Sequence, residues 1–92
     1  RMKTVFSALA ENEAFARSAA AAFVMPLDPT VEELTEIKTA VSEAVSNSVI
    51  HGYSGWEDRS QAMVELECEI NGNGRVTIIV RVHGRGGYIQ TN

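Results

Sequence analysis

The chain predicts an α+β fold: a two-layer α/β sandwich with helices on one face of a mainly antiparallel sheet. Two helical patterns precede a pair of alternating apolar segments, and an Asn-Gly-Asn-Gly stretch joins that pair. Such an order packs helices on one sheet face and does not produce a doubly wound parallel sheet. With 92 residues there is room for one domain.

Each element has its own signal. Lys3 to Ala8 reads as a short strand placed by Val5 and Phe6. Asn12 is suited to cap a first helix, whose apolar positions Phe15, Ala19, Ala22 and Phe23 recur at helical spacing. Pro26 and Pro29 end that helix. Thr30 and Glu33 have the spacing of a capping box. Behind them Val31, Leu34, Ile37, Val41, Ala44, Val45 and Ser48 form an inward stripe, and Gly52 suits the helix end. In Met63 to Ile70, Val64, Leu66, Cys68 and Ile70 face one way, while Glu65, Glu67 and Glu69 face water. After the turn, Val76, Ile78, Val80 and Val82 share the inward face of the returning strand. The domain is expected over residues 2–83, with 84–92 a mobile tail rich in glycine and polar residues.

Composition narrows the function. The chain is 45% hydrophobic and 22% charged, enough apolar material for a core. A net charge of −4 argues against a nucleic-acid partner, and the lone Gly84-Arg85-Gly86-Gly87 run does not outweigh it. One cysteine excludes an internal disulfide. No apolar run reaches the roughly 18 residues of a spanning helix, and a soluble cytoplasmic protein is expected.

The second helix carries a polar row. Glu43, Asn47 and His51 are four apart, drifting about 40° per step along a border of the apolar stripe. Half-buried polar groups need partners. A carboxylate and an amide oxygen one turn apart can share a hard cation such as Mg²⁺, and the carboxylate could take a proton from an attacking hydroxyl. Spacing alone favours an ordinary solvated helix face over a ligand site.

The segment LTEIKTAVSEAVSNSVIHGY, Leu34 to Tyr53, closely resembles the N box of the GHKL (Bergerat-type, histidine-kinase-like) ATPase superfamily. The E-x-x-x-N-x-x-x-H-G-Y form is similar to the sporulation anti-sigma factor serine kinases of that superfamily, and Phe6 to Thr30 looks like their first strand and helix. The resemblance implies that Asn47 ligates the Mg²⁺ of ATP. It implies that Glu43 is the catalytic base acting on a serine of an anti-anti-sigma factor, and that His51 and Gly52 border the nucleotide. A sigma factor would be the sequestered partner, and Arg17 a partner contact. The alternative is a non-catalytic module that only binds a sigma factor or itself.

One position departs from the family. Its D-x-G-x-G motif corresponds to Val82, Gly84 and Gly86, so the glycines are kept while valine replaces the aspartate that accepts a hydrogen bond from adenine. A missing partner of that kind costs about 1–3 kcal/mol, so weak activity or none is expected. The family continues with a lid and further strands, so the chain reads as a truncated, incomplete version of the fold. An uncovered sheet edge and apolar face are then expected to drive self-association, giving a homo-oligomer, most simply a dimer.

Overall fold

The computed structural model describes residues 1–51, 62–83 and 88–91. It contains β1 (Met2–Ser7), α1 (Glu13–Val24), α2 (Val31–His51), β2 (Met63–Ile70), β3 (Val76–His83) and β4 (Tyr88–Thr91). The four strands form one antiparallel sheet in the order β1-β2-β3-β4. Both long helices lie on one side of it, so the α+β, two-layer expectation holds.

Local chemistry explains where the helices begin and stop. The Thr30 hydroxyl accepts from the Glu33 amide at 3.0 Å, and a Glu33 carboxylate oxygen accepts from the Thr30 amide at 2.9 Å. That reciprocal pair is the capping box read from the sequence, and it holds the Glu33 carboxyl below its ordinary pKa. α1 ends at Val24, followed by a 3-10 turn over Met25–Leu27. Asp28 then takes φ 55°, a left-handed conformation that reverses the chain before Pro29. Asn12 does occupy the cap of α1, but its side chain does not cap the helix. Its Nδ2 donates instead to the Ser7 carbonyl at 2.7 Å, tying the helix start back to β1.

The core lies between helices and sheet and is built from Phe6, Val41, Val45, Val64, Leu66, Cys68, Ile78 and Val80, with small residues between them. The buried face of α1 is Ala16, Ala20 and Val24; of the expected Phe15, Ala19, Ala22 and Phe23, Ala19 and Phe23 pack partly buried against the core, while Phe15 and Ala22 are exposed. Alanines at i and i+4 let α1 approach α2 closely. Phe15 is displaced to the rim, where it meets Phe6 edge-on at 5.7 Å. On α2, Val31 is 82% exposed, and the fully buried stripe begins at Val41.

Three further expectations are corrected. Tyr88–Thr91, expected within an irregular end, forms β4 and pairs with β3 over Ile78 to Arg81, so β3 is not an open edge. Glu65 and Glu67, expected to be solvated, are 6% and 4% exposed. The helix-free side of the sheet therefore carries a buried ion network across β1, β2 and β3, not an uncovered apolar face.

Candidate functional site

α2 is a single uninterrupted helix, so Glu43 and Asn47 are carried one turn apart on a rigid rod, about 6 Å along its axis. They line an open depression of ≈ 400 Å³ together with Ser42, Ser46 and Glu13 of α1. The row is more exposed than its expected border position suggests. Glu43, Asn47 and His51 are all exposed, while their neighbours Ala44 and Ser48 are buried. No hydrogen bond or ion pair among the described residues engages Glu43 or Asn47, which leaves their oxygens open to a ligand.

The helix stays regular around this row because its polar groups are accommodated locally. Ser48, fully buried, donates its hydroxyl to the Ala44 carbonyl at 2.9 Å and so brings no unpaired group into the core. Ser42 accepts from Arg17 Nη1 at 2.9 Å, a strut from α1 to α2 beside Glu43. Arg17 also lies 3.9 Å from Glu13, one turn earlier on α1. Expected as a partner contact, Arg17 is half-buried and helps hold the two helices that form the depression.

The donor set fits a hard cation. Two carboxylates, one carboxamide oxygen and two hydroxyls are oxygen ligands of the kind Mg²⁺ takes, and the two negative charges disfavour a bare triphosphate. Among the described residues no group of three or more His, Cys, Asp or Glu could hold a metal as an all-protein cage. A cation here would take Asn47 as one ligand and complete its shell with water and phosphate oxygens. Val82 packs against the core on the helix side of β3, the face that strand alternation assigns it, and its side chain offers no hydrogen-bond acceptor there. Gly52, Gly84 and Gly86 lie outside the described residues.

Sequence reasoning missed Glu13, Ser42 and Ser46. A signal existed for two of them, since Ser42 and Ser46 are spaced by four and immediately precede Glu43 and Asn47. Glu13 is brought in only by the crossing of α1 over α2, which no local pattern encodes. Cys68 is fully buried, and burial pushes its thiol up to about 11, so it is a core residue and not a nucleophile. No described helix is long and apolar enough to cross a membrane.

Comparison with known proteins places this geometry in a family. The model of the histidine kinase-like ATPase domain matches residues 6–91. The chain is 52% identical over 86 residues to the anti-sigma F factor of Clostridium novyi (strain NT), a match covering 94% of this chain and 57% of that protein. It is 48% identical over 86 residues to the anti-sigma F factor of Priestia megaterium, covering 94% of this chain and 56% of that one. With the anti-sigma F factor of Anoxybacillus flavithermus (strain DSM 21510 / WK1) it shares 52% identity over 85 residues, 92% of this chain and 56% of the relative. The chain thus spans somewhat more than half the length of the curated relatives it matches. By its match from β1 through β4, and by the two-layer fold that carries the Glu43–Asn47 row, the chain belongs to the histidine kinase-like ATPase domain family.

Proposed function

We propose that the chain acts in sporulation as a cytoplasmic anti-sigma factor with Mg-ATP-dependent serine kinase activity toward an anti-anti-sigma factor. The observation that carries this reading is the pair Glu43 and Asn47, one turn apart on the rim of one depression, with side-chain oxygens that no described residue engages. Asn47 would hold the Mg²⁺, and His51, Gly52, Gly84 and Gly86 are the residues that would border the nucleotide. Mg-ATP, when bound, supplies the transferable phosphoryl group. Glu43 accepts the proton of the partner's serine hydroxyl. Transfer of this kind depends on position and charge neutralisation more than on covalent chemistry, so a metal ligand and a base on one stiff helix suit it. Arg17 contacts the partner protein from α1, and its hydrogen bond to Ser42 ties that contact to the base-bearing helix. The names of the similar proteins support a sigma factor as the sequestered partner. The functional unit is a homodimer.

Val82 limits nucleotide affinity in this scheme. Titration calorimetry with Mg-ATP tests it: Val82→Asp should tighten binding roughly 5- to 150-fold, the value of one restored buried hydrogen bond. Glu43→Ala should abolish phosphorylation of the anti-anti-sigma factor and leave ATP affinity unchanged, while Asn47→Ala should remove the Mg²⁺ dependence of binding. Micromolar affinity in the unaltered chain would refute the role given to Val82. Retained phosphorylation in Glu43→Ala would refute the base. Failure of Val82→Asp to bind ATP at all would favour a purely sequestering module.

A further inference from the structure

The β2–β3 hairpin turns through Asn71-Gly72-Asn73-Gly74, two Asn-Gly dipeptides in exposed positions. Asn-Gly is the pairing in which a side-chain carboxamide is most open to attack by the next backbone nitrogen, since glycine adds no Cβ to obstruct it. The fold treats the two pairs differently. At the second, the Gly74 amide donates to the Asn71 carbonyl at 2.9 Å, and Asn73 Oδ1 accepts from the Arg75 amide at 3.1 Å. Gly74 is also fixed at φ +83°, the left-handed position that closes such a turn. Both the attacking nitrogen and the carboxamide are therefore engaged. At the first pair, the Gly72 amide makes no hydrogen bond among the described residues. The Asn71 carboxamide has one exposed contact, from Nδ2 to Thr77 Oγ1 at 3.1 Å. A Cβ placed on Gly72 or on Gly74 would meet nothing within 4 Å, so crowding does not separate the two pairs and the hydrogen bonds do.

We infer that Asn71 is a site of spontaneous deamidation and that the turn protects Asn73. The Gly72 amide gives its proton to hydroxide, and its nitrogen attacks Asn71 Cγ, forming a C–N bond. Nδ2 takes up a proton from water, the Cγ–Nδ2 bond breaks and ammonia leaves. Water then opens the cyclic imide at either carbonyl, giving aspartate or isoaspartate, with no change of oxidation state. Either product places a new carboxylate at the exposed turn, where the Asn71 side chain meets Thr77 Oγ1. The isoaspartate form also lengthens the backbone inside a turn held by the Asn71 amide donating to the Arg75 carbonyl at 2.7 Å.

Peptide mapping by mass spectrometry during incubation of the folded chain at mildly alkaline pH tests this. Asn71 should convert roughly 5- to 30-fold faster than Asn73, the effect of one to two hydrogen bonds that must first be broken at the second pair. In concentrated urea the two rates should converge. Gly72→Ala, which the open surroundings accept, should slow conversion at Asn71 and leave thermal unfolding unchanged. Equal rates in the folded chain would overturn the inference, as would a preference that survives in urea. So would a Gly72→Ala chain that converts Asn71 as fast as before.

Discussion

The two faces of the β2–β3 hairpin are both largely buried, and for opposite reasons. On the helix side, Val64, Leu66, Cys68, Ile78 and Val80 are buried by packing under α1 and α2. On the other side none of the described helices lies over the strands. There Glu65 and Glu67 are buried by charge pairing: Arg81 Nη1 contacts Glu67 Oε1 at 2.5 Å and also bonds Glu65, while Arg1 Nε lies 2.6 Å from Glu67. Lys3 adds a longer contact to Glu65 at 3.9 Å. The guanidinium and the long stems of these cations close over the carboxylates. Burial thus does not identify the core. One face gains stability by removing apolar surface from water, the other only through charge partners that stay in register.

The sharpest way to break the comparison is to cut the helix side. Leu66 is fully buried at the centre of β2, opposite Val80 on β3. Leu66→Ala removes its packing and leaves a cavity, costing about 2–5 kcal/mol. For a domain of this size a loss of about 3 kcal/mol lowers Tm by roughly 12–24 °C. A thermal melt followed by circular dichroism would check it, and the loss should not depend on pH between neutral and mildly acid conditions.

Alternation by itself tells the two faces apart, because a period of two sorts side chains by position alone. It also marks both hairpin strands, while the long α2 is announced by a capping box, which is local chemistry. Alternation does not say that Glu65 and Glu67 are dry. That depends on register, which sets Arg81 directly across from Glu65 and Lys3 directly across from Glu67. The same limit applies to the candidate site. Glu43 and Asn47 are legible because one helix carries them, whereas Glu13 enters through the packing of two helices. β4 escapes a reading of the sequence because its four residues are too short to show a pattern after a glycine run.

The charged face should respond to pH where the apolar face does not. The hydrogen bond from Arg81 holds the Glu67 carboxyl below the ordinary carboxylate range. A carboxyl whose pKa is lower folded than unfolded contributes stability that is fully present above the unfolded value, and that is lost as pH falls through the folded value. Arg81→Leu removes the cation that both glutamates share. The variant should be destabilised at neutral pH, by less than Leu66→Ala because Arg81 is partly exposed. The gap between it and the parent chain should narrow as the solution is acidified below the ordinary glutamate pKa, since protonated glutamates no longer need a cation. Urea midpoints measured across that range would show the narrowing. A gap that is constant with pH would mean that Arg81 stabilises the face by its stem alone.

The smallest effect belongs to the third glutamate of the strand. Glu69 continues the same row as Glu65 and Glu67, and nothing in the alternation sets it apart. It is nevertheless exposed, because its cross-strand neighbour on β3 is Thr77 and β1 reaches along β2 only as far as the Met2–Cys68 pair. With Thr77 across from it, no ion pair to it among the described residues and water around it, its charge contributes little either way. Glu69→Gln should change the urea midpoint by no more than about 0.5 kcal/mol equivalent, at any pH. Glu67→Gln measured beside it should lose the pH dependence that Arg81→Leu also loses. If instead Glu69→Gln matched Glu67→Gln, the row would be acting through its summed negative charge. Register would then have no part in dividing the wet end of the strand from the dry one.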